Sequence, residues 1–273
     1  MTTNSATMHT EVPAPNLLSA SWIIAGRTVG SWHRQIGATA TVWLFPVFTT
    51  LLFLGLFGGA IDVPDGSTYV DFLVPGMLAV TMLFGLETTT LSAAADATRG
   101  INDRLRSYPI SGIAIVFGRA LADLLSSLIS LALMVAFAFA IGWRPDLSID
   151  RVLLALALLL LLRFALLWFG IFIGYGAKSV ESVAYIQILT WPVAFLSSVF
   201  VNPATMPTWL GAVVEFNPIS ATATAVRQLL GGRHWEALSF AGEHALALAI
   251  GWPVLLTLVY LPLTARRFRR GGK

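Results

Sequence analysis

Residues 152–175 read VLLALALLLLLRFALLWFGIFIGY, a run in which Arg163 is the one charged residue. As a helix rising 1.5 Å per residue, it covers about 36 Å, enough for a hydrocarbon core roughly 30 Å thick. Five further apolar stretches surround it, at 39–60, 72–94, 121–142, 183–201 and 244–264. The 183–201 stretch is the shortest, just under the roughly 20 residues a span needs. The chain of 273 residues is 56% hydrophobic and 11% charged, against about 25% charged in a soluble domain. The expected fold is all-α and integral to a membrane: six transmembrane helices within residues 17–265, and no sizeable soluble domain.

The absence of cysteine excludes disulfides, iron–sulfur clusters and thiolate metal sites. The four histidines (His9, His33, His234, His244) are scattered and no HExxH occurs, so no metal site is expected. The nearest approach to a phosphate loop, Gly174-Tyr175-Gly176-Ala177-Lys178-Ser179, has the wrong glycine spacing. It also ends a span, where no strand–loop–helix cradle can form. The chain is therefore expected to bind no ATP and to act as no enzyme. Nothing in it suggests a nucleic-acid partner.

Basic residues sort sharply across the six spans. With the N-terminus inside, the inner segments carry Arg27, Arg34, Arg99, Arg104, Arg106, Arg119, Lys178, Arg266, Arg267, Arg269, Arg270 and Lys273. The outer segments carry Arg144, Arg151, Arg227 and Arg233. Short loops rich in Lys and Arg stay cytoplasmic, so both termini are expected inside the plasma membrane (cell inner membrane). Residues 1–16 have neither a basic n-region nor an apolar h-region, and read as a disordered cytoplasmic tail. Residues 266–273 read as a basic cytoplasmic tail.

Three segments between or before the spans carry patterns of their own. Leu18, Trp22, Ala25, Val29, Trp32 and Ile36 form one helical stripe with Arg27 and Arg34 away from it, the pattern of an interfacial amphipathic helix. Between the second and third spans, Gly100 ends a helix, Asn102 or Asp103 can cap a short new one, and Pro109 breaks it. This elbow is either a loop held to headgroups by Arg104 and Arg106 or an element gripped by a soluble protein along Leu105, Tyr108 and Ile110. After the fifth span, Met206-Pro207-Thr208-Trp209-Leu210 starts one short helix and Asn217-Pro218 a second. Their apolar character suggests a re-entrant hairpin, the alternative being an external helical cap.

The elbow (Gly100, Arg104-Leu105, Pro109-Ile110-Ser111, Gly118-Arg119) and the block Phe195, Met206-Pro207, Trp209-Leu210, Asn217-Pro218-Ile219 occur in the right order. The chain thereby resembles the permease subunits of type-2 ABC exporters, specifically the daunorubicin-resistance group. Val201-Asn202 departs from the bulkier apolar-Pro sequence at that place in relatives. The resemblance implies a separate ABC ATP-binding subunit, carrying ATP and Mg, docked on a cytoplasmic coupling helix. Arg104, Leu105, Arg106, Tyr108, Pro109 and Ile110 would form that dock. It also implies a second permease subunit, identical or paralogous, and export of a lipophilic drug, antibiotic or lipid. A polysaccharide or other cell-envelope cargo is the alternative within the architecture. An ion-coupled secondary transporter is the alternative outside it, though the chain lacks several mid-membrane ionisable groups or an inverted repeat.

Charges inside spans are costly and draw attention to Glu87 and Arg163, whose depths agree within about 4 Å at 1.5 Å per residue. They are expected to pair as a clamp, a path-facing role being the alternative. Phe45, Phe48 and Phe53 of the first span, with Thr190, Trp191 and Phe195 of the fifth, are candidate path-lining residues, some of them packing residues instead. Pro207, Trp209, Asn217 and Pro218 define the hairpin. The topology is directly measurable: reporters inserted between Arg99 and Asp103 and fused after Lys273 should be cytoplasmic, and one near Arg233 external. An external reporter at Lys273 overturns the assignment.

Overall fold

A computed structural model describes residues 16–59, 68–101, 104, 111–145, 148–231, 237 and 239–270. Its long and short helices are α1 (Leu17–Trp32), α2 (Ile36–Phe57), α3 (Tyr69–Thr98), α4 (Gly112–Ala140), α5 (Ile149–Gly174), α6 (Tyr185–Phe195), α7 (Thr208–Phe216), α8 (Pro218–Leu229), α9 (Phe240–Glu243) and α10 (Ala245–Arg270). No strand occurs among the described residues. Among the described residues, five helical segments are long and apolar enough to cross a bilayer: Leu17–Phe57, Tyr69–Thr98, Gly112–Ala140, Ile149–Gly174 and Ala245–Phe268.

The expected span over 183–201 is not one continuous helix. Helix α6 has 11 residues, about 17 Å at 1.5 Å each, and ends at Leu196. Residues 196–202 then run as turns and bends to a short 3-10 turn at Pro203–Thr205. The reason lies in α8, whose Asn217, Ser220, Thr224 and Arg227 recur at spacings of three, four and three and so share one face. Asn217 Nδ2 donates to the carbonyls of Val193 (3.0 Å) and Leu196 (2.6 Å). Ser198 N donates to Ser220 Oγ at 2.9 Å, and the Ser198 and Thr224 hydroxyls lie 3.4 Å apart. Arg227 takes the Ser198 and Val199 carbonyls. Backbone groups freed by the break thus have partners without a continued helix, the condition for irregular backbone away from water.

Helix α3 is the axis of the molecule, buried along most of its length while the other long helices keep an open face. It packs against α2, α4, α5, α6 and α8. Its tightest approach is to α5, where Gly170 and Gly174 are four residues apart and face the Thr89–Ala94 turn of α3. A Cβ at Gly174 would lie 2.5 Å from Ala93 Cβ and 2.6 Å from the Thr90 carbonyl oxygen. In lipid, where lipid tails are as apolar as the side chains, such small-residue contacts gain dispersion and drive association.

Helix α1 packs against the bundle. Leu18 and Trp22 of the apolar stripe face outward, but Ala20, Ser21, Ile24 and Ala25 are buried against α4. Ser21 Oγ donates to the Ala114 carbonyl at 3.1 Å, and a Cβ at Gly118 would come within 2.6 Å of the Ser21 carbonyl. At the other end of the chain, α10 continues to Arg270. Arg267 donates to the Phe172 carbonyl (3.1 Å) near the C-terminus of α5 and stacks on the Phe172 ring, the favourable end of the helix for a cation.

Substituting Gly174→Val should force α3 and α5 apart and lower stability by about 1–3 kcal/mol or more, the usual cost of overpacking. Thermal unfolding in detergent reads this out. Gly26→Ala, where a Cβ meets nothing within 4 Å, should leave the melting temperature unchanged.

Candidate functional site

Two buried arginines lock the bundle, and each occupies room left by a glycine of α3. Arg227 is completely buried. Its Nε donates to the Phe72 carbonyl at 2.9 Å, its Nη1 to Ser198 O and its Nη2 to Val199 O, both at 3.1 Å, and its guanidinium lies 4.0 Å above the Phe72 ring. A Cβ at Gly76 would stand 2.7 Å from its Nη2. Arg163 does the same deeper in the bundle, with Nε donating to Ser127 Oγ (2.6 Å) and Nη2 to Thr89 Oγ1 (2.7 Å). Here the room comes from Gly85, whose Cβ would meet Arg163 Nε at 2.7 Å.

Arg163 therefore does not clamp Glu87. Arg163 lies over Gly85 and spends its Nε and Nη2 on Ser127 and Thr89, and no ion pair to Glu87 forms among the described residues. The carboxylate whose field acts on Arg163 is Asp123 of α4, one turn from both Arg119 and Ser127. Arg119 in turn pairs with Asp96 of α3 and donates to Ser92 Oγ at 2.5 Å. The ends of α3 and α4 that flank the elbow are joined by this pair.

Glu87 instead lines a cavity of about 280 Å³ between α2, α3, α4 and α6, with Thr41, Thr88, Ser126, Ser130 and Gln187 among its polar walls. Phe45 and Phe84 close one side, and Trp191 packs on both: the Phe45–Phe84, Phe45–Trp191 and Phe84–Trp191 ring centroids are 5.0, 6.0 and 5.4 Å apart. A second aromatic group continues from it, with Phe53 stacked on Phe200 at 4.2 Å and against Phe195 at 5.9 Å.

Residues 20–230 match the family model described as ABC-2 type transporter. The chain belongs to the ABC-2 type transporter family. It is 32% identical over 227 residues to the daunorubicin resistance ABC transporter permease protein DrrB1 of Streptomyces coeruleorubidus, covering 83% of this chain and 77% of that protein. It is also 25% identical over 209 residues to a putative transport permease, ycf38, of Pyropia yezoensis, and 24% over 223 residues to that of Cyanophora paradoxa. Coverage is 75% and 78% of this chain, 71% and 77% of those proteins. Membership in the ABC-2 family makes this chain a membrane-spanning permease and implies partnership with an ATP-binding subunit.

Of the candidate path residues of this ABC-2 permease, Phe45, Phe53, Trp191 and Phe195 lie in the aromatic groups, Thr190 is buried beside Glu87, and Phe48 faces outward. In the hairpin, Asn217 holds the end of α6, Pro218 opens α8, Pro207 precedes α7, and Trp209 is exposed. At the elbow, Arg104 is exposed with its amide bonded to Gly100 O, while Leu105, Arg106, Tyr108, Pro109 and Ile110 lie outside the described residues. Sequence reasoning counted Arg227 among the outer segments without giving it a partner, and passed over Asp123. The signals were present: the Asn217/Ser220/Thr224/Arg227 stripe, and the Arg119/Asp123/Ser127 repeat every four residues.

Arg227→Lys should be severely destabilising, because a single ammonium cannot hold three carbonyls in a planar fork. Each carbonyl left unpaired and buried costs about 1–3 kcal/mol, and detergent melting should fall accordingly. The chain has no cysteine, so a Cys placed at fully buried Ser197 offers a unique label. It should resist a water-soluble maleimide in the parent and react when Arg227 is Lys.

Proposed function

We propose that this chain is the membrane subunit of an ATP-driven exporter that moves a lipophilic compound, a drug or lipid, out of the cytoplasm or inner leaflet of the plasma membrane. The observation that carries this reading is the cavity walled by Phe45 and Phe84, with Trp191 packed against both, inside the span bundle of an ABC-2 permease. Its similarity to a permease named for daunorubicin resistance supports a drug-like cargo. An apolar aromatic wall suits such a molecule better than a long hydrophilic polysaccharide.

ATP and Mg are bound and used in a separate ABC subunit, and a second permease subunit completes the path. Both termini are cytoplasmic, because basic residues concentrate on that side. Helix α6 and a re-entrant α7–α8 hairpin together take the place of a sixth continuous span. Support comes from Trp252, about 10 Å into α10 at 1.5 Å per residue, which donates to the Phe216 carbonyl at 2.9 Å. The turn between α7 and α8 therefore sits beside the last span rather than above it.

The coupling helix is the elbow between α3 and α4, braced by Arg119–Asp96. Replacing Leu105 and Tyr108 together by Ala should remove two contacts of about 1–2 kcal/mol each. That corresponds to roughly 30-fold to 1,000-fold weaker docking. The variant should insert normally yet lose both the co-purified ATP-binding subunit and ATP-dependent export. Wild-type complex and transport in that variant, or robust ATP hydrolysis by the permease alone, overturns the proposal.

A further inference from the structure

The turn that ends α4 sets a cation on the rim of an apolar groove. Helix α4 stops at Ala140, and Gly142 takes a φ of 97°, in the left-handed region that glycine tolerates. The Trp143 amide then donates back to the Ala138 carbonyl at 3.0 Å and the Gly142 amide to the Phe139 carbonyl at 3.2 Å, which makes a Schellman turn. Trp143 is thereby folded onto the helix and buried, its ring 5.8 Å from that of Phe139. Arg144 follows over the helix end, where its Nη1 donates to the Phe139 carbonyl at 3.0 Å and to the Trp143 carbonyl at 2.9 Å. That is the end of a helix at which a cation is favoured. Phe139 and Trp143 also line a groove of about 340 Å³ between α4 and α5, which Leu78 of α3 and Leu230 after α8 help to wall. Apart from the Trp143 indole, every side chain along it is hydrocarbon. The groove reaches Leu128, about 18 Å along α4 from Ala140, and Leu159, about 15 Å along α5 from Ile149, at 1.5 Å per residue. That is the depth of one leaflet in a hydrocarbon core roughly 30 Å thick.

We infer that this groove holds one acyl chain of a resident anionic phospholipid whose phosphate pairs with Arg144. The site lies apart from the Glu87 cavity and needs neither cargo nor ATP. A pocket for a small molecule carries a few placed polar groups that fix its orientation. Along its depth this groove offers none, so the orienting contact is at the rim. A guanidinium presents five N–H donors in a planar fork. Both carbonyl contacts of Arg144 use Nη1, and the Nε and Nη2 edge matches two oxygens of a phosphate. Arg151, exposed in the first turn of α5, adds positive charge at the same end, while the carboxylate of Asp150 takes the Ser148 hydroxyl. An anionic lipid is favoured over a zwitterionic one, because a choline or ethanolamine headgroup brings a second cation beside Arg144. A chain seated there touches α3, α4 and α5 at once, and a ligand that binds only the folded state stabilises it.

The test uses the full chain in detergent and three probes with the same palmitoyl and oleoyl chains: phosphatidylglycerol, phosphatidylcholine and diacylglycerol. Native mass spectrometry reads the affinity of each, and thermal unfolding reads stabilisation. The wild-type chain should retain one phosphatidylglycerol at least tenfold more tightly than either other lipid, and that lipid should raise its melting temperature most. Arg144→Gln should bring the three affinities within threefold of one another, whereas Arg144→Lys should keep part of the preference. Ala132→Phe fills the groove from an exposed position on its wall and leaves Arg144 in place, so it should lower phosphatidylglycerol affinity tenfold or more. Arg34→Gln, at an exposed arginine before α2, should change nothing. Equal wild-type affinity for phosphatidylglycerol and phosphatidylcholine overturns the inference. So does an unchanged preference in Arg144→Gln, or undiminished phosphatidylglycerol binding in Ala132→Phe. Tightest binding of diacylglycerol overturns it too, and assigns the groove to a neutral apolar molecule. Should Arg144→Gln melt well below wild type, Ala132→Phe decides, since it removes neither a charge nor a hydrogen-bonding side chain.

Discussion

The structure depends on satisfying the backbone of one broken segment away from water. Residues 196–202 leave the helical ladder among packed helices, and an unpaired peptide group in such surroundings costs several kcal/mol. The polar face of α8 removes that cost: Asn217 covers the end of α6, Ser220 takes the Ser198 amide, and Arg227 covers the next two carbonyls. Because Arg227 also reaches Phe72 on α3, the same side chain that permits the break fixes where the broken segment sits. Phe200 is thereby carried onto Phe53 of α2, so the break also builds an aromatic wall.

Helix α3 answers the demands of its neighbours with small residues. Gly76 and Gly85 admit guanidinium groups, while Ala93 and Ala94 meet Gly174 of α5. Large side chains at these positions would bury more surface but would hold the neighbouring backbones apart, forfeiting the contacts that associate helices in lipid. A helix buried along most of its length and central in the bundle follows from these requirements. The face it turns toward α2 and α6 is then free to carry Glu87 and Phe84 into a cavity rather than into a packed seam.

The arrangement of charge separates structure from function. Arg119, Arg163 and Arg227 are engaged by protein groups fixed in the fold. Asp123 lies one turn from Arg119 on α4, and its field reaches both Arg119 and Arg163, although its buried Oδ2 has no hydrogen-bond partner. These groups brace the helices that flank the elbow and the broken segment after α6. Glu87 has the Thr190 hydroxyl beside it and lines the cavity between α2, α3, α4 and α6.

The sequence by itself determined the membrane environment, the long helices and the short hairpin helices, because bilayer thickness and proline capping act locally on consecutive residues. It also carried the family resemblance through the elbow and the Met206-Pro207 and Asn217-Pro218 blocks, in line with the ABC-2 match over residues 20–230. The 183–201 stretch was legible as apolar but not as broken, since its interruption is stabilised by side chains about 20 to 30 residues further along. Glu87 and Arg163 agreed in depth, yet depth says nothing of azimuth. Only the packing of α5 over Gly85 turned Arg163 toward Ser127 and Thr89 and left Glu87 on the cavity side. Hydropathy counts residues along a helix, whereas pairing and cavities depend on which way each face turns, and that is decided when helices choose their neighbours.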